Sequence, residues 1–276
     1  MFTKIFFGIG ALLAIAFIIL VIIRVRNEQE IDRIWRSLES SPTGDRFTED
    51  MVAELPPPVQ RYFLHSIAPG TPLASSVSLE MSGSFRMAQD KPWIPMRAKQ
   101  ITSALKGFVW KAVIGSGLFK FMGADYYANK SGQMRFALWG LIPLVNVQNP
   151  DITRSAIGRF VGEFFWLPSA LLLQRNVTWK EIDDKTIQAS LKVDGEPVTL
   201  TMVTDIDGKL LKVSFPRWGE HTEDGSYTYI PFGGEFQEEH TFGGFTIPSQ
   251  ISAGWWFGTE RYSEFFLATI EQAEFC

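Results

Sequence analysis

The first apolar segment of the chain is long and uninterrupted. No residue between positions 5 and 23 is charged, and these 19 residues are mostly Ile, Leu, Val, Phe and Ala. As an α-helix they would rise about 28 Å, close to the roughly 30 Å of a hydrocarbon core. A signal peptide usually has an apolar run of about 7–15 residues before a small-residue cleavage site, but this run leaves through Arg24-Val25-Arg26. We therefore predict that residues 1–26 form a retained anchor that contacts the lipid bilayer through residues 5–23.

The charges around this anchor leave the side of the membrane open. Lys4 precedes the apolar run, whereas Arg24, Arg26, Arg33 and Arg36 follow it. Cytoplasmic flanks of membrane helices carry the excess of Lys and Arg, so these charges favour a cytoplasmic body. A short N-terminal tail with one Lys can also remain inside, which would place the body on the other side. The sequence predicts a single-pass cell-membrane protein on either reading.

Helical spacing continues beyond the anchor. Ile31, Ile34, Trp35 and Leu38 recur on one stripe, which is typical of an amphipathic helix. A second helix is predicted in "LPPPVQRYFLHSI", because proline suits the first helical turn and apolar residues then recur at helical spacing. Residues 27–69 are therefore expected to form a helical connector that packs on the domain after it.

From about residue 70 the period of the pattern changes from 3.6 to 2. In "VSLEMSGSFRM" apolar and polar residues alternate, as in an antiparallel strand with one wet face. The alternation returns in "TIQASLKV", "VTLTM" and "LKVSF", and turn-forming pairs such as Asp194-Gly195 separate the segments. Six other segments fit strands: "GFVWKAVI", "FKFMGADYYA", "QMRFALW", "EFQEEHTF", "FTIPSQISAGWWF" and "YSEFFLATIEQAEF". We predict about ten strands in two groups.

A helix with clear boundaries is predicted between the two groups of strands, over about residues 150–173. Asn149 is a good N-cap residue, and Pro150 fits the first helical position. An apolar stripe follows, in which the residues recur every four positions: Ile152, Ala156, Phe160 and Phe164. Pro168 interrupts the helix before a short continuation. The fold class is therefore α+β, with a transmembrane helix followed by one β domain over residues 70–276 around an aromatic helix.

Several of these segments resemble an uncharacterised bacterial family of membrane-associated proteins, one of the domains of unknown function. They are "LPPPVQRYFLHSI", "GFVWKAVI", "FALWGLIPLV" and "GRFVGEFFWLPSALL", in that order. A weaker likeness links "TLTMVTDIDGKLLKVSF" and "FTIPSQISAGWWF" to the lipoprotein-carrier class. That likeness implies a strongly curved antiparallel sheet, an open half-barrel, that wraps around apolar helices. The likeness also implies that the β domain lies outside the cytoplasm, whereas the charges that flank the anchor favour a cytoplasmic location.

Composition and motifs exclude several functional classes. The net charge of −4 and the pI of about 5.5 provide no basic field, so we expect no nucleic-acid partner. The only cysteine is Cys276, which excludes an internal disulfide. The histidines lack the spacing of a zinc site, and neither a nucleophile elbow nor a P-loop occurs. We therefore predict no catalytic residue, no metal and no cofactor.

The aromatic residues carry the functional hypothesis. They amount to 14% of the chain, and they either fill the core between a curved sheet and its helix or line a cavity for a lipid. Glu163, set among aromatics, is expected to pair with an arginine or to anchor a ligand. We expect the stripe to face the concave side of the sheet, with Trp166 and Leu167 near its open rim. The candidate ligand-contacting residues are Phe160, Phe164, Phe165, Trp166, Leu167, Trp110, Trp139 and Glu163.

The best functional hypothesis from the sequence is a membrane-tethered, non-catalytic binding protein for a lipid or an acyl chain. The alternative is a structural or protein-interaction module of a membrane or envelope complex, and an enzyme ranks third. A dry core with no cavity beside residues 160–173 would favour the interaction module, whereas a cavity that holds converging acids and a histidine would favour the enzyme.

Overall fold

A computed structural model describes residues 2–40, 44–174 and 176–276. The α-helices within these residues are α1 (Phe2–Leu38), α2 (Pro57–Ser66), α3 (Pro150–Gly162) and α4 (Ala170–Leu173). Single 3₁₀ turns occur at Glu49–Met51, Gly117–Phe119 and Phe164–Trp166. The strands are β1 (Ser76–Phe85), β2 (Ile94–Ser103), β3 (Gly107–Ile114), β4 (Phe121–Ala128), β5 (Ser131–Leu138), β6 (Ile142–Val147), β7 (Thr178–Glu181), β8 (Thr186–Val193), β9 (Glu196–Thr204), β10 (Leu210–Gly219), β11 (Thr228–Phe242), β12 (Phe245–Trp255) and β13 (Ser263–Phe275).

All thirteen described strands belong to one antiparallel sheet. Its order is β6-β5-β4-β3-β2-β1-β13-β12-β11-β10-β9-β8-β7, so the chain starts in the middle, runs out to one edge, and returns from the other edge to the middle. The two halves join where β1 pairs with β13. The sheet curls so strongly that Tyr127, at the end of β4, donates a hydrogen bond to Asp194, at the β8–β9 turn. This architecture confirms the predicted α+β class and the half-barrel.

The strand count of about ten is too low because three strands lack the expected alternation. Strand β2 loses it after Lys99, where residues on both faces are buried, one face being covered by α1. Strand β6 is an edge strand whose side chains are mostly exposed on both faces. Strand β7 is the opposite edge and has only four residues. Apolar and polar residues alternate only where one face of a strand is exposed to solvent and the other is buried. None of these three strands meets this condition along its whole length.

Helix α1 continues past its apolar segment and packs on the convex face of the sheet. Ile31 and Leu38 are buried there against Ile101 of β2 and Val109 of β3. Arg24 donates a hydrogen bond to the Trp139 carbonyl at the β5–β6 turn (3.3 Å). At the other end of the sheet, Lys106 of the β2–β3 turn donates one to the Ser37 carbonyl (2.9 Å). The residues before Arg24 therefore project beyond the end of the sheet that holds the β5–β6 turn.

Helix α2 covers the opposite end of the sheet. Its last residues lie against the start of β12, where Ile67 forms a β-bridge with Phe245. His65 contacts the carboxylate of Glu239 in β11 at 3.0 Å. Phe63 packs edge-on against Trp179 of β7. This end of the concave face is therefore closed by protein.

The segment between the two sheet edges crosses the concave face as α3, a 3₁₀ turn and α4. Helix α3 lies between β5 on one side and β10 on the other. The approach to β10 is close, because a methyl group added at Gly162 would lie 2.3 Å from the Phe215 ring. The helix begins as the sequence predicts, with the Asn149 side chain accepting a hydrogen bond from the Ile152 amide (2.8 Å).

Removal of this cap should destabilise the protein. In Asn149→Ala the Ile152 amide loses its partner, and we expect the free energy of unfolding to fall by about 0.5–2 kcal/mol. Urea unfolding of the full chain in mild detergent measures the change, and Asn149→Asp, which retains a capping oxygen, is the control. Equal midpoints and slopes for Ala and Asp variants would contradict this role of Asn149.

Candidate functional site

A cavity of about 610 Å³ lies between α3 and the concave face of the sheet. Most of its wall is apolar and comes from the middle of the sheet. The strand residues that form this wall include Trp110, Phe136, Phe215, Phe232, Phe236 and Phe266. Sites that hold one small ligand usually occupy about 300–1,000 Å³ and are mostly apolar with a few polar groups. In size and lining the cavity matches such a site.

The cavity opens at the end of the sheet from which α1 projects. Its mouth, as we name it, is formed by Arg86–Gln89 after β1 and by Gly219–His221 and Tyr227 between β10 and β11. These loops lie at the same end of the antiparallel strands as the β5–β6 turn, which contacts Arg24. At the mouth, His221 stacks on Trp255 at 4.2 Å, and burial together with nearby Arg217 lowers the pKa of its imidazole.

Helix α3 turns mainly polar residues, together with Ile152 of its apolar stripe, towards the cavity. The residues of α3 and its C-cap that line the cavity include Ile152, Ser155, Arg159 and Glu163. Phe160 faces the other way, between Phe108 of β3 and Tyr127 of β4. Because the sheet curls around α3, both sides of the helix are enclosed, and the apolar stripe finds its partners in β3 and β4.

Arg159 holds two carboxylates in the cavity wall. Its guanidinium contacts Asp125 at 2.6 Å and Glu163 at 2.8 Å. Gln100 donates a further hydrogen bond to Glu163 (2.9 Å). Burial disfavours the charge of Arg159, but Glu163 and Asp125 outweigh this effect and raise the pKa of the guanidinium. The predicted ion pair of Glu163 with an arginine thus forms in the structure.

Arg217 is the functional candidate that the sequence analysis missed. It follows Val213 and Phe215 at the next inward position of β10, and only 8% of its surface is exposed. Its Nε atom donates to the Ser155 carbonyl (3.2 Å), and its guanidinium lies over the rings of Phe232 and Trp255 at 4.7 and 5.0 Å. Burial and the charge of Arg159 lower its pKa to about 10, so it remains protonated at neutral pH. Continuing the period of two along "LKVSFPR" would have identified it.

The sequence-predicted site residues divide into three groups. Trp110, Glu163, Phe165 and Trp166 line the cavity. Phe160, Phe164 and Leu167 are fully buried in the core and are not among the residues that line it. Trp139 lies at the β5–β6 turn with 40% of its surface exposed and is likewise outside the cavity wall.

The expectation that Trp166 and Leu167 lie near the open rim is wrong. The indole of Trp166 donates a hydrogen bond to the Pro248 carbonyl (3.2 Å), near the start of β12 and away from the mouth. Ser169, two residues after Leu167, donates one to the Ala74 carbonyl just before β1. The turn after α3 is drawn to the closed end because α4 packs there. Trp166 therefore forms part of the deep wall of the cavity.

This arrangement is suited to binding. Of the three acids that line the cavity, Asp125 and Glu163 are engaged by Arg159, and Glu220 lies at the mouth. Within the residues that the structure describes, no three His, Cys, Asp or Glu side chains are grouped to hold a metal ion. The cavity offers apolar volume, the Arg159 ion-pair network, and Arg217, a buried cation that forms no salt bridge with a described carboxylate.

The Arg159 network should dominate the stability of this region. Arg159→Met leaves two carboxylates in the wall without their cation, and we expect a loss of about 3–5 kcal/mol in the free energy of unfolding. Lys111→Met, which breaks an exposed pair with Asp32, is the matched control and should cost about 0–1 kcal/mol. Urea unfolding measures both variants. Similar losses for the two would show that the buried network is not needed to hold α3.

The chain is similar to several solved structures at low sequence identity. Among curated proteins, none matches the sequence. A LolA superfamily protein from Nitrosomonas europaea is 10% identical, with a TM-score of 0.44, covering 79% of this chain and 92% of the other. A domain described as an outer membrane lipoprotein-sorting protein, from Vibrio parahaemolyticus, is 12% identical, with a TM-score of 0.36 and coverages of 73% and 85%. A DUF1329 family protein from Desulfovibrio piger is 10% identical, with a TM-score of 0.35 and coverages of 73% and 86%.

Two of these solved structures are described as LolA superfamily or lipoprotein-sorting proteins, the class whose likeness the sequence suggested. The anticipated family of unknown function is confirmed. Its model matches residues 53–275, which include α2, the whole sheet and the cavity. The chain belongs to DUF6920, a family of unknown function.

Proposed function

We propose that this protein is a membrane-tethered, non-catalytic binding protein that holds the apolar part of a lipid or acyl chain in its concave cavity. The observation that carries the proposal is the position of the cavity. It is apolar, has a volume of about 610 Å³, and opens at the end of the sheet from which α1 projects. A hydrophobic ligand could then pass between the bilayer and the cavity with little exposure to water.

Helix α1 supplies the tether in this proposal. Among the described helices it is the one long and apolar enough to cross a membrane, with a mean hydropathy of 2.8 in its most apolar window and none of that window buried. Arg24 and Arg26 follow the apolar run directly. Such residues are favourable where a helix leaves the hydrocarbon, because their charges reach the polar interface. The bilayer surface would lie near Arg24, and hence near the β5–β6 turn.

Several exposed apolar side chains lie at that end of the sheet and support the orientation. Met87, Leu118, Phe119, Trp139 and Leu144, which we call the rim, lie on the β1–β2, β3–β4 and β5–β6 connections and the start of β6. These side chains are 40–74% exposed, and Leu118 and Phe119 are the most exposed of them. Clusters of exposed apolar side chains mark surfaces that contact another apolar phase. The rim and α1 could therefore meet the same bilayer.

A label at the rim tests this orientation. In a Cys276→Ser background, a fluorophore on a cysteine at Leu118 should emit as in an apolar medium and be quenched by lipids that carry a quencher. The same fluorophore at Ile206, an exposed apolar residue of the β9–β10 turn at the opposite end, should report water. Equal quenching at the two positions, or none at Leu118, would contradict a membrane-facing mouth.

Two substitutions separate ligand binding from core packing. Ala253→Trp places an indole in the cavity from β12, so a co-purifying lipid should be lost while the fold remains. Phe164→Ala removes a fully buried ring outside the cavity wall, so it should cost about 3–5 kcal/mol in unfolding free energy and leave lipid content unchanged. Native mass spectrometry and urea unfolding of detergent-extracted protein measure the two effects. An unmodified protein without bound lipid, or an Ala253→Trp variant that keeps it, would favour the interaction module instead.

A further inference from the structure

Arg217 is a buried cation that faces the cavity and forms no salt bridge among the described residues, although the charges of Asp125 and Glu163 attract it from a greater distance. Its Nε atom is satisfied by the Ser155 carbonyl, and its other contacts are the faces of two aromatic rings. Carboxylates do lie in the same wall, but Asp125 and Glu163 are bound at 2.6 and 2.8 Å by Arg159. The terminal N–H groups of Arg217 therefore remain able to donate hydrogen bonds to a ligand.

An arginine in this situation is costly to the folded protein. A buried charge needs a partner, and transfer of a cation out of water without one is strongly unfavourable. Aromatic faces recover part of this cost. The planar guanidinium presents parallel N–H groups that fit the two oxygens of a carboxylate or a phosphate. A ligand with a negatively charged oxygen group would supply the hydrogen-bonding partner that the protein itself does not provide for Arg217.

The depth of Arg217 in the cavity fits the head of an amphiphile. Arg217 pairs with Ile230 in the β10–β11 register, two residues before β10 ends at Gly219 beside the mouth. The deeper wall is apolar and aromatic, and the Phe165 ring contacts those of Trp166 and Phe236 in tilted arrangements. A chain that enters tail first would place its head near Arg217. Arg86 and Glu220 also lie at the mouth and bring one charge of each sign there.

We propose that the cavity selects an amphiphile with an acidic head, in which Arg217 forms a paired hydrogen bond with the oxygens of a carboxylate or phosphate while the acyl chain occupies the apolar interior. This inference rests on the proposed function and names the class of its ligand. It also predicts which amphiphiles are rejected. An ester or alcohol of the same chain would leave Arg217 buried and unpaired.

The test compares two probes that differ only in charge. Full-length protein in phosphatidylcholine nanodiscs is titrated with dibromostearate and with its methyl ester, whose bromines quench the tryptophans of the cavity wall, Trp110, Trp166 and Trp255. We expect saturable quenching by the acid at a concentration about tenfold or more below that of the ester, from the strength of a hydrogen-bonded charge pair. Displacement of the bromo acid by palmitate or by hexadecyl phosphate then distinguishes a carboxylate head from a phosphate head.

Substitutions assign the selectivity to Arg217. Arg217→Met should remove the preference for the acid, Arg217→Lys should retain part of it, and Lys212→Met should leave it unchanged. Lys212 is the matched control, because it lies on the same strand but is exposed and paired with Glu235. A purely structural role for Arg217 would lower stability without changing the ratio of acid to ester.

Each outcome bears on a different statement. Saturable quenching by both probes with equal affinity for the unmodified protein would overturn the acidic-head inference and leave the binding function standing. Quenching that rises only with the amount of probe in the bilayer, without saturation, would overturn the binding function itself. Neither comparison depends on whether an Arg217 variant folds.

Discussion

The antiparallel pairing of β1 with β13 determines where the rest of the chain can go. It joins the first and last strands in the middle of the sheet, from Val77 opposite Phe275 to Phe85 opposite Phe266. The edges of the sheet are then β6 and β7, and the residues between them have to cross from one edge to the other. They cross on the concave side, as α3, a 3₁₀ turn and α4. A 13-residue helix cannot fill the interior of a sheet of thirteen strands, and the space that remains is the cavity.

The same constraint explains why the helix presents polar residues to the cavity. Helix α3 is enclosed by β3, β4 and β5 on one side and by β9 and β10 on the other. Phe160 packs on the first group, where Phe108 and Tyr127 lie. Ser155, Arg159 and Glu163 face the cavity beside this contact, and Arg159 reaches Asp125 of β4. A wall that combines aromatic strand residues with a few polar groups suits an amphiphile better than a pure hydrocarbon, because both parts of such a ligand find a partner.

Much of the fold could be predicted from the sequence, because the signals are local. The alternation in "TIQASLKV" identifies β8, and Asn149-Pro150 identifies the start of α3, since both depend on neighbouring residues. The residues of the candidate site were harder to predict from the sequence. Trp166 lies deep in the cavity and Trp139 lies outside it because of the way the strands pair across the sheet. No local pattern in the sequence predicts that pairing. Phe160 and Phe164 were correctly expected on the concave side, but the helix face directed at the cavity depends on the curl of the sheet. Arg217 breaks the apolar pattern of β10 at an inward position, and this local signal was within reach.

The central claim is that the space between α3 and the sheet is occupied by an amphiphile in the native protein. An experimental density map of the full chain, isolated from its own membrane without added lipid, tests it most directly. The account predicts elongated density along Phe236 and Trp166 that ends in a compact feature within hydrogen-bonding distance of the Arg217 guanidinium. A cavity filled by side chains that have moved inward, or one containing only separate water molecules around Arg217, would contradict it.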